Sequence, residues 1–183
     1  MEYQTFISIQ DLEKHLYDPH WVIVDSRFDL ASPGGGFADY QRSHISGAVY
    51  AHLNQDLAGA ISPQSGRHPL PGAKEFAKIL SGWGINHDSQ VVVYDTANGA
   101  FAARLWWMLQ ALGHSKVAVL NGGFPLWQKF GLSTRPGCES NQPASFSLAE
   151  NAQWTGIVSP TEVENIRLDS MYKLIDALSL IHI

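Results

Sequence analysis

Val91-Val92-Val93-Tyr94-Asp95-Thr96-Ala97-Asn98-Gly99-Ala100 joins a run of β-branched and aromatic residues to a short polar loop. The run reads as a buried strand, and the residues after the loop, Phe101 to Leu112, read as a helix. Strand, loop and helix in this order point the free N–H groups of the first helical turn into the loop, which makes an anion cradle. The residue at the head of that loop is Asp95.

The same alternation extends outward in both directions. Ser8 or Asp11 caps a helix expected to run to Tyr17, and Trp21-Val22-Ile23-Val24-Asp25 reads as a short buried strand. Val49-Tyr50 makes a weaker strand after Gly47. Pro71-Gly72-Ala73 opens a helix that places Phe76, Ala77, Ile79, Leu80 and Trp83 at helical spacing, and Gly84 closes it. Past Gly113-His114 come a strand, Val117-Ala118-Val119-Leu120, and a helix from Phe124 to Phe130 closed by Gly131. Strands alternating with helices predict an α/β fold with a parallel-rich sheet covered by helices on both faces.

Composition narrows the function. The 183 residues, 45% hydrophobic and 11% aromatic, suffice for one packed domain plus a remainder but are few for two domains of ordinary size. A net charge of -5 with no Lys/Arg run argues against nucleic acid or an anionic membrane as partner, since both require a concentrated basic surface. No stretch reaches the roughly 20 apolar residues of a membrane span. Met1-Glu2-Tyr3-Gln4 lacks the basic start and apolar core of a secretory signal, so the cytoplasm is the expected compartment. Cys138 is the only cysteine; it lies in a polar Pro/Gly stretch with nothing placed to activate a thiol. The eight histidines hold no zinc-motif spacing, and neither metal nor cofactor is expected.

The chain then begins to repeat itself. Periodicity fades between 132 and 155 in a stretch rich in Ser, Asn, Pro and Gly, which reads as an interdomain linker. After it, Ser159-Pro160-Thr161-Glu162-Val163 through Tyr172-Lys173-Leu174-Ile175-Asp176 matches Ser8-Ile9-Gln10-Asp11-Leu12 through Trp21-Val22-Ile23-Val24-Asp25. Ser8 falls on Ser159 and Asp25 on Asp176, an offset of 151 at both ends. Cap, helix, strand and terminal aspartate in one register indicate a duplicated domain. The organisation expected is a first domain over 5–131, a linker over 132–155 and the start of a second copy over 156–177. The last six residues, Leu178-Ser179-Leu180-Ile181-His182-Ile183, are the translation of CTG TCT CTT ATA CAC ATC, the end of a transposase-based sequencing adaptor. They are read as an artefact on a truncated reading frame, with the natural sequence ending near Ala177.

Six segments in order carry a family resemblance: Val24-Asp25-Ser26-Arg27; Tyr40 through His44-Ile45-Ser46-Gly47-Ala48; Arg67-His68-Pro69-Leu70-Pro71-Gly72; the strand ending in Asp95; Ala103-Arg104-Leu105-Trp106-Trp107; and Leu120-Asn121-Gly122-Gly123-Phe124 with Trp127. Together they resemble the N-terminal half of a tandem-domain rhodanese, the thiosulfate or 3-mercaptopyruvate sulfurtransferase type. The resemblance implies a rhodanese-like fold in which the second domain carries a cysteine. That cysteine takes sulfur as a persulfide and passes it to cyanide, a thiol or another acceptor. The first domain is an inactive copy that walls the active-site cleft. The partners it implies are a small anionic sulfur donor and the missing C-terminal domain.

At the nucleophile's position this chain carries Asp95, and a carboxylate has no sulfur to transfer. Its expected role is to cap the helix, a contribution of about 0.5 to 2 kcal/mol, and no catalytic residue is expected in these residues. Arg67 and His68 are the substrate-binding candidates. By the resemblance their loop faces the interdomain cleft, where a guanidinium and an imidazole suit thiosulfate or the carboxylate of a mercapto acid. The bland alternative for the pair is a solvated surface loop. Asp25 with Arg27 is read as a fold-holding ion pair or turn contact and His44 as a hydrogen-bonded structural histidine. Arg104 is read as a packing residue within reach of Asp95 or the partner domain. A competing function is a free-standing inactive rhodanese module that binds anions or proteins.

Overall fold

Each long apolar run of the sequence becomes a strand, and the amphipathic stretches between them become helices. The computed structural model describes residues 2–175. In chain order the elements are β1 (Phe6–Ile7), α1 (Ile9–Lys14), β2 (Trp21–Asp25), α2 (Gly35–Arg42), β3 (His44–Ile45), β4 (Val49–Tyr50), α3 (Ala73–Gly82), β5 (Gln90–Tyr94), α4 (Ala102–Ala111), β6 (Val117–Leu120), α5 (Gly123–Lys129), β7 (Thr134–Arg135) and α6 (Pro160–Ile166). The main sheet has the order β1-β6-β5-β2-β4, parallel throughout, and β3 pairs antiparallel with β7 beside it.

Successive strand side chains point to opposite faces, so a sheet covered on both sides needs apolar residues at every position. Val22, Val24, Val91, Val93, Val117 and Val119 pack on one face with Phe76 and Leu80 of α3 and Leu105, Met108 and Leu109 of α4. Ile23, Val92, Tyr94, Ala118 and Leu120 pack on the other with Leu12 of α1 and Phe124 and Trp127 of α5. The expected α/β fold with helices on both faces is therefore present.

The differences lie in the short elements. Helix α1 stops at Lys14 instead of Tyr17, and Ser8 is its N-cap, accepting from the Asp11 N–H at 3.1 Å. Strands β1, β3 and β7 and helix α2 have no counterpart in the sequence reading. The stretch 132–155 does not stand away from the domain as a free linker would. It supplies β7, its Ala144 N–H donates to Ser81 O, and Trp154 Nε1 donates to Pro71 O. Phe146 is 4% exposed, packed against the rings of His87 and His114. Helix α6 buries no residue. No helix among the described residues is long and apolar enough to cross a membrane. Asp176, read from the sequence as the terminal aspartate of a second copy, and the 178–183 tail lie outside the described residues.

His114 gives the fold an acid-sensitive point. It is 3% exposed and its Nε2 has no partner. Burial, with a contribution from nearby His87, lowers its pKa from the ordinary imidazole value. The folded state then binds fewer protons than the unfolded chain, so stability present above about pH 6.5 is lost as pH falls from there towards the folded pKa. Urea midpoints measured from pH 8 to 5 should fall in that window, and His114→Gln should flatten the fall. An unchanged slope in the variant would remove His114 as its cause.

Candidate functional site

Parallel strands that end side by side leave their C-terminal edge open to ligands. Here β2 and β5 end in register, Asp25 opposite Tyr94, and the chain beyond each supplies the candidate residues. The first group is a structural bolt. Arg27 Nη2 lies 2.6 Å from Asp25 Oδ2, its Nε donates to both carboxylate oxygens, and its Cζ sits 4.2 Å from the centre of the Phe124 ring. Tyr94 donates its hydroxyl to Asp25 Oδ2 at 2.7 Å and accepts from the Ile45 N–H. Burial and the adjacent Asp25 carboxylate push the Tyr94 phenol well above its ordinary pKa, which keeps it a donor. Arg27 Nη2 also donates to Ser43 O. With every one of these groups satisfied within the fold, Asp25 and Arg27 hold β2, β3 and β5 together, as the sequence reading anticipated.

One residue beyond β5, Asp95 fills the cradle. Its Oδ1 accepts from the N–H groups of Ala97 and Gly99, both at 2.9 Å. Its Oδ2 accepts from Phe101 at 2.8 Å and Ala102 at 2.9 Å. Asp95 is 2% exposed. The loop reaches this shape because Asn98 and Gly99 adopt positive φ, 54° and 89°. On the other side, the Phe124 N–H donates to Asp95 O, and a Cβ on Gly123 would lie 2.4 Å from that oxygen. The loop is thus a complete anion site whose anion is part of the chain. Four donors on two oxygens leave this carboxylate buried and engaged, which suits a structural anchor and not a nucleophile.

Arg67 and His68 line an open pocket of ≈ 220 Å³ together with Phe28, Leu30, Pro33, Asn54 and Ile61. Leu30 and Ile61 are largely exposed there, 49% and 68%. His68 Nε2 lies 2.9 Å from Asn54 Oδ1, which orients the ring. Burial, then the charges of Arg67 and Arg104, lower the His68 pKa. The pocket adjoins the Asp95 loop through an aromatic chain, because Phe28 meets His68 edge-on at 6.5 Å and Phe101 at 5.8 Å. Phe28, Leu30, Asn54 and Ile61 went unread in the sequence, where they lack any shared spacing.

Arg104 does not reach Asp95, whose oxygens are already filled by amides. It turns instead to the loop before α3, donating from Nε and Nη2 to Leu57 O at 2.9 and 2.6 Å. Nη2 also reaches His68 O at 3.1 Å and Pro69 O at 3.3 Å. His44 is structural as expected: its Nδ1 lies 2.8 Å from Tyr40 O and its ring stacks on Tyr40. Cys138 is exposed, with Gln41 Nε2 3.7 Å from its sulfur. Among the described residues no group of three His, Cys, Asp or Glu side chains is arranged to hold a metal ion.

Removing the built-in anion exposes its cost. Asp95→Ala leaves four amides, one buried and three part-buried, without their acceptor, and each charge-assisted bond of this type contributes about 1.5–3 kcal/mol. Because such bonds in one site are not additive, the expected loss is about 3–4 kcal/mol, a fall in Tm of roughly 6–16 °C for a chain of this size. A thermal melt within 2 °C of the parent (about 0.5–1 kcal/mol) would contradict the anchoring role.

The sequence pattern of the Rhodanese-like domain matches residues 8–130. The chain is 41% identical over 148 residues to the "Probable 3-mercaptopyruvate sulfurtransferase" of Pseudomonas aeruginosa, covering 80% of this chain and 52% of that protein. It is 33% identical over 176 residues to the 3-mercaptopyruvate sulfurtransferase of Escherichia coli K12, covering 94% of this chain and 60% of the relative. Among solved structures it superposes on SseA from Escherichia coli with a TM-score of 0.82 and 30% identity, over 98% of this chain and 68% of that one. The chain thus spans about half to three fifths of the length of these curated relatives. Sequence pattern, identity and superposition agree with the parallel sheet and its covering helices: the chain belongs to the rhodanese family.

Proposed function

We propose that this chain is the N-terminal, non-catalytic portion of a two-domain sulfurtransferase, which moves sulfane sulfur from thiosulfate or 3-mercaptopyruvate to a thiophilic acceptor. The observation that carries the reading is the Asp95 carboxylate bound by four amides where a persulfide-forming sulfur would have to sit. Both relatives named above are 3-mercaptopyruvate sulfurtransferases by their names, and both are longer than this chain. The chemistry is assigned to a cysteine of the second domain. Its thiolate attacks the outer sulfur of thiosulfate, the S–S bond breaks and sulfite departs with the bonding pair. With 3-mercaptopyruvate the C–S bond breaks and pyruvate departs as its enolate, which then takes a proton. The acceptor next removes the outer sulfur of the persulfide and returns the thiolate.

The start of a second copy supports the two-domain reading over a free-standing module. Ser159 caps α6 with φ -77° and ψ 158°, and Ser8 caps α1 with φ -76° and ψ 158°. At the offset of 151 read from the sequence, Leu12, 0% exposed in α1, corresponds to Val163 in α6, which buries no residue. Leu168, Met171, Leu174 and Ile175 are likewise 75–85% exposed. A helix and a following apolar stretch that match the first copy's pattern, with no core to enter, fit a domain that continues beyond them; residues 172–175 form no strand here.

In this reading the Arg67–His68 pocket binds the donor's anionic end, with Leu30 and Ile61 as apolar walls. In the two-domain protein, Arg67→Ala and His68→Ala should each raise the donor's KM by about tenfold, the loss of one charge-assisted hydrogen bond. The kcat should change far less, since neither residue performs the sulfur transfer. Unchanged KM in both variants would return the pair to a solvated surface loop.

A further inference from the structure

We infer that Arg104 is the positioning residue of the Arg67–His68 pocket, clamping the pocket's loop to the helix that Asp95 anchors. The inference rests on the assignment of that pocket to the donor anion.

The loop that carries the pocket runs from Leu53 to Leu70 between β4 and α3, a long connection with no helix or strand. Such a segment needs specific bonds to hold one shape. Its two limbs meet where the Gly59 N–H donates to Pro69 O at 2.9 Å, and a Cβ on Gly59 would lie 2.8 Å from Leu70 O. Arg104 serves both limbs at this junction. Its planar guanidinium donates to Leu57 O on one limb and to His68 O and Pro69 O on the other. One rigid fork thereby fixes the spacing of Asn54 and His68, the pair whose side chains bond across the pocket.

The other end of Arg104 is equally constrained. It belongs to the first turn of α4, whose leading amides, Phe101 and Ala102, are held by Asp95 Oδ2. Asp95, α4, Arg104 and the pocket loop therefore form a continuous series of bonded parts. A carboxylate at the old nucleophile position has a use in this arrangement: it fixes the origin from which Arg104 reaches the loop. Arg104 also supplies charge. Its half-buried guanidinium, satisfied by carbonyls alone, is one of the causes that lower the His68 pKa, beside burial and Arg67.

The test compares the chain as it stands with Arg104→Gln and Arg104→Lys. Three quantities are read: thiosulfate affinity by calorimetry, the titration midpoint of the His68 ring by NMR, and Tm. Arg104→Gln should weaken thiosulfate binding at least fivefold and move the His68 midpoint upward. Arg104→Lys keeps a charge but loses the fork, so it should weaken binding while shifting His68 less. If Arg104→Gln does not fold, Arg104→Lys decides by the same two readouts. Wild-type affinity and an unmoved His68 midpoint in the folded variants, even with a lowered Tm, would overturn the inference and leave Arg104 a packing residue. Should the parent chain bind no thiosulfate, the donor-pocket assignment fails, while the His68 midpoint still supports or overturns the clamp.

Discussion

The carboxylate of Asp95, accepting from four backbone amides, is the constraint on which the rest of this molecule depends. Strand β5 delivers the side chain, Asn98 and Gly99 bend the loop around it, and α4 starts from the amides it holds. The same residue's carbonyl receives the Phe124 N–H, so α5 is tied to the site as well. An anion cradle left empty in a buried place would carry unsatisfied donors, and the fold avoids that by supplying its own anion. The anion site is in this way filled by the chain's own carboxylate.

The two faces of the sheet divide the labour. The α1 and α5 face locks the strand ends through the Asp25, Arg27 and Tyr94 network, where Arg27 lies over Phe124. The α3 and α4 face carries the pocket, through Arg104 and through the Phe101–Phe28–His68 aromatic chain. The stretch 132–155 seals the latter face with Phe146, Leu148 and Trp154. The pocket is consequently mounted on a rigid core while its rim, Leu30, Ile61 and Arg67, stays open to whatever packs opposite.

Much of this was legible in the chain. Continuous apolar runs at 21–25, 91–94 and 117–120 mark doubly covered parallel strands, because no half-exposed strand would tolerate them. Asp95 at the head of its loop and the Arg67–His68 pair were visible as residues. Two-residue strands such as β3 and β7 carry too little pattern to read, and α2 opens on Gly35-Gly36, which weakens any helix signal. The true partners of Arg104 were hidden for a different reason. They are backbone carbonyls 35 to 47 residues away, and a carbonyl leaves no mark on the side-chain sequence. The polar composition of 132–155 likewise masked its course, since Phe146, Leu148 and Trp154 are isolated apolar residues without a periodic pattern.

The central claim is that these residues hold the frame of a sulfurtransferase without its nucleophile. Cyanide-dependent thiocyanate formation by the purified chain, with thiosulfate and with 3-mercaptopyruvate, tests it most directly, measured beside the same chain carrying Cys138→Ser. The account predicts no turnover above the reagent blank from either protein. Turnover by the parent chain that disappears with Cys138→Ser would contradict it, placing the active thiol at Cys138.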